Sequence, residues 1–180
     1  MTANTINSTP CLVIVMGVAG CGKSTLSRAL AGIHQYQLIE ADDFHSAPAK
    51  AMMAAGEPLT DALRMPWIEA LCRHLTNLRQ LQRNCVLACS GLRRQHRQRF
   101  RSLGFNNLFI WLHGDAGLIR QRLAKRDNHF FNMQLLDNQF CALQQPDNEA
   151  DVVAIAINQP LSDIIAQANA VLIAHREHSL

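Results

Sequence analysis

The sequence lacks long apolar runs, paired cysteines and any marked charge imbalance. No apolar stretch approaches the ~20 residues that a membrane-spanning helix needs, and residues 1–10 lack the basic start of a secretory signal. The six cysteines include no C-x-x-C pair, and several lie in apolar runs. We therefore expect reduced, mostly buried thiols in a cytoplasmic protein, and neither disulfides nor a zinc site.

Aromatic residues and charge are also scarce. Aromatics make up 6% of the chain and the net charge is +3, which does not indicate nucleic-acid binding without a concentrated basic patch. The guanine-recognition motif N-K-x-D is absent, which disfavours a GTPase. One dense basic run remains, and it fits either a solvated helix face or a surface that contacts phosphate. It consists of Arg93, Arg94, Arg97, Arg99 and Arg101.

Short apolar runs alternate with longer helical patterns along the 180 residues. This alternation predicts an α/β fold in three layers, with a five-stranded parallel sheet and helices on both faces. We expect a flexible N-terminus over residues 1–10 and a single domain over 11–180. The predicted strands cover 11–16, 36–40, 85–89, 108–112 and 152–157. The first predicted helix begins at Lys23 and ends at Gly32. The later predicted helices cover 47–55, a long stretch near 66–81, the Arg-rich run, 115–125, 133–143 and 161–174.

Residues 17–24 follow the first predicted strand and open the first predicted helix. Their spacing is that of the P-loop motif G-x-x-x-x-G-K-[ST], in which backbone N–H groups and the helix N-terminus bind phosphate. Lys23 is predicted to reach the β- and γ-phosphates of ATP, and the Ser24 hydroxyl to bind Mg²⁺. The predicted ATP-binding residues here are Gly17, Val18, Ala19, Gly20, Cys21, Gly22, Lys23, Ser24 and Thr25.

Polar residues follow several strands, and the carboxyl ends of parallel strands form one crevice. Gly17, Asp42, Ser90 and His113 are predicted to converge there. If the second strand persists, Glu40 and Asp42 share a face. Asp42 is then the candidate base that accepts the acceptor hydroxyl's proton, and Glu40 a water-mediated metal partner. The alternative is an acidic helix cap, for which Asp43 serves as well.

Cys21 lies inside the phosphate-binding loop. The oriented amides, the helix N-terminus and Lys23 favour a thiolate at this position, which predicts that Cys21 is the most reactive of the six thiols. The alternative is a sulfur turned inward that fills a small-residue position.

The motifs together resemble gluconate kinases of the thermoresistant gluconokinase type. The resemblance runs through nearly the whole chain, from about Val13 to Leu172. It implies a shikimate-kinase-like P-loop kinase fold, the substrates ATP and a sugar acid, Mg²⁺, and a homodimer. The segments that carry it are 17–24, 42–45, 53–61 with Arg64, 66–67, 89–97, 122–126, 129–131, 135–136, 139–140, Leu143 with Pro146, and 159–161.

An irregular segment near 126–132 follows a regular helical pattern. Arg126, and with it Arg122, suits a mobile lid that closes over ATP and stabilises the transferring phosphate; the alternative is a pair of exposed helix arginines. Lys23, Asp42 and Arg126 are the predicted catalytic residues. The resemblance adds Gln159 and Pro160 to the ATP site. The predicted acceptor-binding residues are Asp42, His45, Arg64, Arg97 and His129. Among them, Arg64 and Arg97 are candidates for the cation that an acidic acceptor needs, and His45 is a contact for a hydroxyl.

The chain departs from the family pattern around the expected acceptor pocket. Ala49, Met52 and Leu63 stand where the family carries polar side chains. Such losses can retune which hydroxyl compound fits, because sites built around hydrogen bonds discriminate strongly. The main prediction is D-gluconate phosphorylation, with another polyol acid or shikimate as the alternative acceptor. A nucleotide-binding module without kinase activity is disfavoured, because Lys23, Ser24 and Asp42 are all present.

Overall fold

A computed structural model describes residues 9–57, 59–125 and 133–178 of the chain. Five strands form one sheet in the order β2-β3-β1-β4-β5, and every neighbouring pair is parallel. The predicted parallel sheet is therefore confirmed. The strands are β1 Cys11–Met16, β2 Gln37–Glu40, β3 Cys85–Ala88, β4 Asn106–His113 and β5 Val152–Ala156.

Helices cover both faces of the sheet. Successive residues of β1 point to opposite faces, so Val13 packs in one core cluster and Ile14 in the other. No helix of the described residues is both long and apolar enough to cross a bilayer. The helices are α1 Lys23–His34, α2 Ala47–Ala54, α3 Asp61–Gln80, α4 Arg94–Arg101, α5 Ala116–Ala124, α6 Met133–Ala142 and α7 Leu161–Glu177, with a 3₁₀ helix at Ala41–Phe44.

Two local expectations change. Helix α1 does not stop at Gly32 but continues to His34, and Gln35 takes the left-handed conformation with φ 55 while its N–H bonds to Ala31 O. Pro10, placed in the predicted flexible N-terminus, is buried, and its carbonyl accepts a hydrogen bond from Asn106 N. Residues 1–8 and the predicted lid, 126–132, lie outside the described residues.

Part of the Arg-rich run forms an ion-pair centre around Glu149, whereas Arg94 and Arg99 are exposed as on a solvated face, so neither sequence interpretation describes the run fully. Arg97 is fully buried and pairs through two nitrogens with the carboxylate of Glu149, at 2.9 and 2.5 Å. Arg101 pairs with Glu149 at 2.5 Å and with Asp151 at 2.7 Å. These bonds attach α4 to the segment before β5.

The Glu149 ion pairs give a pH-dependent contribution to stability. Hydrogen bonds from Arg97 and then Arg101 lower the pKa of Glu149 from 4.5 to about 2. A depressed carboxyl pKa stabilises the fold above pH 4.5, and this contribution is lost as the pH falls toward 2. We expect Glu149→Gln to reduce the free energy of unfolding at pH 7 by about 3 kcal/mol, with a smaller defect at lower pH.

Urea unfolding at pH 7 and at intervals below pH 4.5 measures this effect. Asp137→Asn is the control, because its ion pair with Arg120 is about half exposed and contributes below about 1 kcal/mol. A Glu149→Gln defect that stays constant down to pH 3 contradicts the assignment of the ion pair.

Candidate active site

The P-loop, residues 17–24, connects β1 to α1 and requires its glycines. A Cβ on Gly17 (φ 143) would lie 2.5 Å from the backbone oxygen of Leu112, and one on Gly20 (φ 82) would lie 2.7 Å from Leu123 Cγ. Both distances are too short for real contacts, and both φ values favour glycine. The loop is therefore pressed against β4 and α5, which fixes where its amides point.

Helix α1 begins at Lys23, and its N-terminus faces the loop. The N-cap is Gly22 (φ 104), and no side chain caps the helix, so its first amides are available to an anion. Lys23 Nζ donates to the carbonyl of Val18 at 3.0 Å. The ammonium group therefore already lies over the loop that would hold the phosphates of a nucleotide.

Ser24 and Glu40 form a pair at the edge of the loop. Ser24 Oγ donates to Glu40 Oε2 at 2.9 Å, while the buried Oε1 has no hydrogen bond and Arg28 Nη2 lies 3.6 Å from it. The described residues offer no group of three or more His, Cys, Asp or Glu side chains that holds a metal.

Strand β2 ends at Glu40, and a 3₁₀ helix follows. The expectation that Glu40 and Asp42 share a strand face is therefore wrong. Asp42 sits instead on a tight turn, where its carbonyl accepts from His45 N at 3.4 Å. The carboxylate of Asp42 is exposed and lies near the His45 ring. Burial lowers the pKa of His45, and the negative charge of Asp42 partly offsets this effect.

Trp67 supports the turn that contains Asp42 and His45. The sequence did not predict this role. Its indole stacks on the His45 ring with 4.4 Å between centroids and 11° between planes. Its Nε1 donates to the carbonyl of Ala41 at 2.7 Å. In the sequence, Trp67 stands among the apolar positions of a helix and in the 66–67 segment of the family resemblance, and neither signal assigned it a contact with His45.

The crevice at the carboxyl ends of the strands brings the predicted residues close together. Gly17 N donates to Ser90 O at 3.1 Å, which joins the loops after β1 and β3. Burial raises the pKa of Cys89 to about 12, and both Asp42 and Lys23 are near enough to shift it further, in opposite directions. Lys23 and Asp42 therefore both lie near the buried Cys89 thiol, and the carbonyl of His113 accepts from Ile157 N.

A cavity of about 260 Å³ adjoins the P-loop on its other side. Arg122 lines it and donates through Nη2 to the carbonyl of Ile157 at 2.6 Å. Gln159 and Pro160 form the turn before α7, where Gln159 donates to Ala156 O at 2.7 Å and Pro160 is the N-cap. The lining residues are Gly20, Cys21, Gly22, Thr25, Leu26, Leu112, Arg122, Leu161 and Ile164.

Comparison with known proteins identifies the family. A protein-family profile described as an AAA domain matches residues 12–146. The thermoresistant gluconokinase of Escherichia coli (strain K12) is 35% identical over 164 residues, which cover 91% of this chain and 94% of that protein. This chain belongs to the gluconokinase family. The predicted family and the assignment as a kinase are thereby confirmed.

Solved structures place this gluconokinase-family chain in the same fold class. The crystal structure of a gluconokinase from Sinorhizobium meliloti 1021 matches with a TM-score of 0.85 at 34% identity, covering 95% of this chain and 96% of that one. Shikimate kinase from Aquifex aeolicus vf5 shares the fold alone, with a TM-score of 0.57 and 12% identity. The predicted P-loop kinase fold is therefore confirmed, and shikimate kinase is only a distant structural neighbour.

The structure places the predicted acceptor-binding residues in different environments within this gluconokinase-family fold. Arg97 is a correction: it is fully buried, and its nitrogens bond to Glu149 and to the carbonyls of Gly91, Leu92 and Gln144. Such a guanidinium has no donor left for a substrate.

Burial lowers the pKa of His45, and Asp42 and Arg64 both lie near enough to affect it, in opposite directions. Arg126 and His129 lie outside the described residues.

Cys21 is a second correction. Its side chain is 1% exposed and packs with Val18 and Leu26 in the core, with Sγ only 2.8 Å from where a Cβ on Gly17 would lie. The inward-facing alternative is right, because the residue is buried within the core cluster. Among the cysteines in the described ranges, Cys141 is the exposed one.

Proposed function

We propose that this chain transfers the γ-phosphoryl group of ATP to D-gluconate, giving ADP and 6-phospho-D-gluconate. The observation that carries the proposal is the match to the thermoresistant gluconokinase of E. coli over 91% of this chain and 94% of that protein. The crevice supports it, because it combines a phosphate-binding loop with a carboxylate and a neighbouring cation for an acidic acceptor.

Lys23 and the P-loop amides bind the phosphates. Lys23 needs only to leave the Val18 carbonyl, 3.0 Å away, to reach them. Phosphoryl transfer spreads negative charge over the equatorial oxygens, and fixed donors aimed at that charge lower the barrier. The N-terminus of α1 contributes in the same direction, since its first amides lack a capping side chain.

Ser24 and Glu40 are the residues that would hold Mg²⁺. The Ser24 hydroxyl would bind the ion directly while its proton remains bonded to Glu40 Oε2. Glu40 Oε1, buried and without a hydrogen bond, would accept from a metal-bound water. When bound there, the ion would supply positive charge that offsets the negative charge developing on the transferring phosphate.

Asp42 is the proposed base, and His45 and Arg64 the proposed acceptor contacts. Asp42 is exposed to the crevice and can accept the proton of an acceptor hydroxyl. Burial lowers the pKa of His45, which favours a neutral ring that donates or accepts one hydrogen bond to a hydroxyl. Arg64 supplies positive charge for the carboxylate of the sugar acid.

The identity of the acceptor is tested by a panel of acids. Purified protein with ATP and Mg²⁺ is supplied with D-gluconate, other polyol acids or shikimate, and ADP release is followed against a reaction without acceptor. We expect D-gluconate to give the highest kcat/KM and a product heavier by one phosphoryl group. Activity on another polyol acid but not on D-gluconate would overturn the proposed substrate and implicate the altered positions Ala49 and Leu63.

Arg126 is proposed to act on the transferring phosphate, on the basis of its place in the sequence. We expect Arg126→Ala to lower kcat by more than it weakens ATP binding, because such a cation acts mainly on charge that builds in the transition state. Steady-state kinetics and ATP titration measure the two effects. Arg73→Ala, an exposed position on α3, is the control. Equal losses in affinity and efficiency, at unchanged kcat, would make Arg126 a ground-state contact instead.

We also propose a cytoplasmic homodimer that binds neither nucleic acid nor membranes. Support comes from the family resemblance, the reduced cysteines and the modest net charge of +3. Sedimentation equilibrium at micromolar concentration tests the assembly, and a single species at the monomer mass of 20.1 kDa would contradict it.

A further inference from the structure

Gln139 of α6 reaches the P-loop. Its side-chain oxygen Oε1 accepts a hydrogen bond from the backbone N–H of Ala19, with 2.6 Å between nitrogen and oxygen. The two residues are 120 positions apart in the sequence, so tertiary packing alone creates the contact. None of the roles proposed above for phosphate, metal or acceptor uses this side chain.

The contact holds one end of a single peptide unit. The N–H of Ala19 and the carbonyl of Val18 belong to the same planar peptide, so fixing one direction fixes the other. At the opposite end, the Val18 oxygen accepts from Lys23 Nζ at 3.0 Å and from Cys21 N at 3.4 Å. Rotation of this peptide would place a carbonyl oxygen where a donor now points, and an acceptor beside the loop amides repels phosphate oxygens.

The position of Gln139 is itself fixed by the docking of α6. Leu136, three residues earlier and on the same helix face, is fully buried in the core cluster that contains Val18 and Cys21. The neighbouring Asp137 pairs with Arg120 of α5 at 2.5 Å. The acceptor oxygen is therefore held in place by its helix before any nucleotide arrives.

We propose that Gln139 is a positioning residue for nucleotide binding, which holds the Val18–Ala19 peptide in the orientation that the P-loop requires. This inference rests on the proposed function only for the identity of the nucleotide. ATP and ADP use the same loop, so preordering of the peptide affects both alike. Loss of the Gln139 contact should therefore weaken the binding of both nucleotides and change kcat little.

The test is Gln139→Met, which keeps the length of the side chain and removes the acceptor oxygen. We expect the Kd values of ADP and of a non-hydrolysable ATP analogue both to rise about 5- to 15-fold, the effect of one neutral hydrogen bond. At saturating ATP, kcat should stay within about 3-fold. Gln121→Met, at an exposed position of α5, is the matched control and should leave both Kd values unchanged.

Gln139→Glu provides an independent arm, should the methionine variant fold poorly. It keeps an acceptor oxygen at the same reach but adds a negative charge near the phosphates. We expect weaker ADP binding that salt partly restores, whereas the methionine defect should not respond to salt. A defect in the glutamate variant that high salt leaves as large as the methionine defect would show that the acceptor oxygen does not position the peptide.

Two further results would overturn the proposal. Unchanged ADP affinity in Gln139→Met, with a lowered unfolding temperature, would make the residue a packing contact only. Tighter ADP binding would mean that its oxygen competes with phosphate for the Ala19 amide. Titrations with ADP need no acceptor, so they remain decisive even if D-gluconate is not the substrate.

Discussion

Lys23→Ala should lower kcat by about 10²- to 10³-fold, the typical cost of losing one donor that stabilises transition-state charge. The fold should survive, because the one hydrogen bond of the Lys23 side chain described here goes to the Val18 carbonyl within the same loop. The core beneath the loop, including Val18 and Leu26, does not depend on the ammonium group. Initial rates with saturating ATP and D-gluconate measure the effect.

Lys125→Ala is the control for this prediction. It removes the same charge from an exposed position at the end of α5 and should change kcat by less than about 2-fold. Thermal unfolding of both variants separates loss of catalysis from loss of structure. A folded Lys23→Ala protein with near-normal turnover would show that the phosphate assignment is wrong.

Asp42→Asn should lower kcat by about 10²- to 10⁴-fold while ATP still binds. The amide has nearly the same shape as the carboxylate, but it cannot accept the proton of the acceptor hydroxyl. The hydrogen bond from His45 N goes to the backbone carbonyl of Asp42 and not to its side chain. The 3₁₀ turn should therefore persist in the variant. Initial rates and ATP titration together measure the effect.

Asp43→Asn is an unusually close control, because Asp43 is adjacent, equally exposed and part of the same 3₁₀ helix. We expect it to retain most of the activity. If Asp43→Asn is instead the damaging substitution, the base lies one residue later in the chain. Loss of ATP affinity in Asp42→Asn would mean that the carboxylate acts on the nucleotide and its metal.

Features that depend on neighbours along the chain were predictable. The P-loop, the start of α1 at Lys23 and the five strands follow from residue spacing and from periodic apolar patterns. The parallel direction of the strands then follows, because a helix after each strand returns the chain to the edge of the sheet where that strand began. Such signals are local, so one sequence carries them. The predicted ends of helices and strands were less accurate. Helix α1, for example, continues beyond Gly32 to His34.

The choice of side-chain partners was not predictable from spacing. Arg97 was expected to bind an acidic acceptor, yet it is neutralised by Glu149, 52 residues away. A basic residue near a strand end has the same local pattern in either case. Only the packing of α4 against the segment before β5 decides between the two, because burying the guanidinium requires that a carboxylate and carbonyls surround it.

The sequence by itself determined the family, the phosphate loop and the residues available for chemistry. The tertiary structure alone decided that Cys21 faces inward, that Trp67 supports His45 and that Gln139 holds the Ala19 amide. The physical reason is that the direction of a side chain depends on which distant segments press against it. Backbone propensities and apolar periodicity record only the nearest turns of the chain, and they carry no information about those contacts.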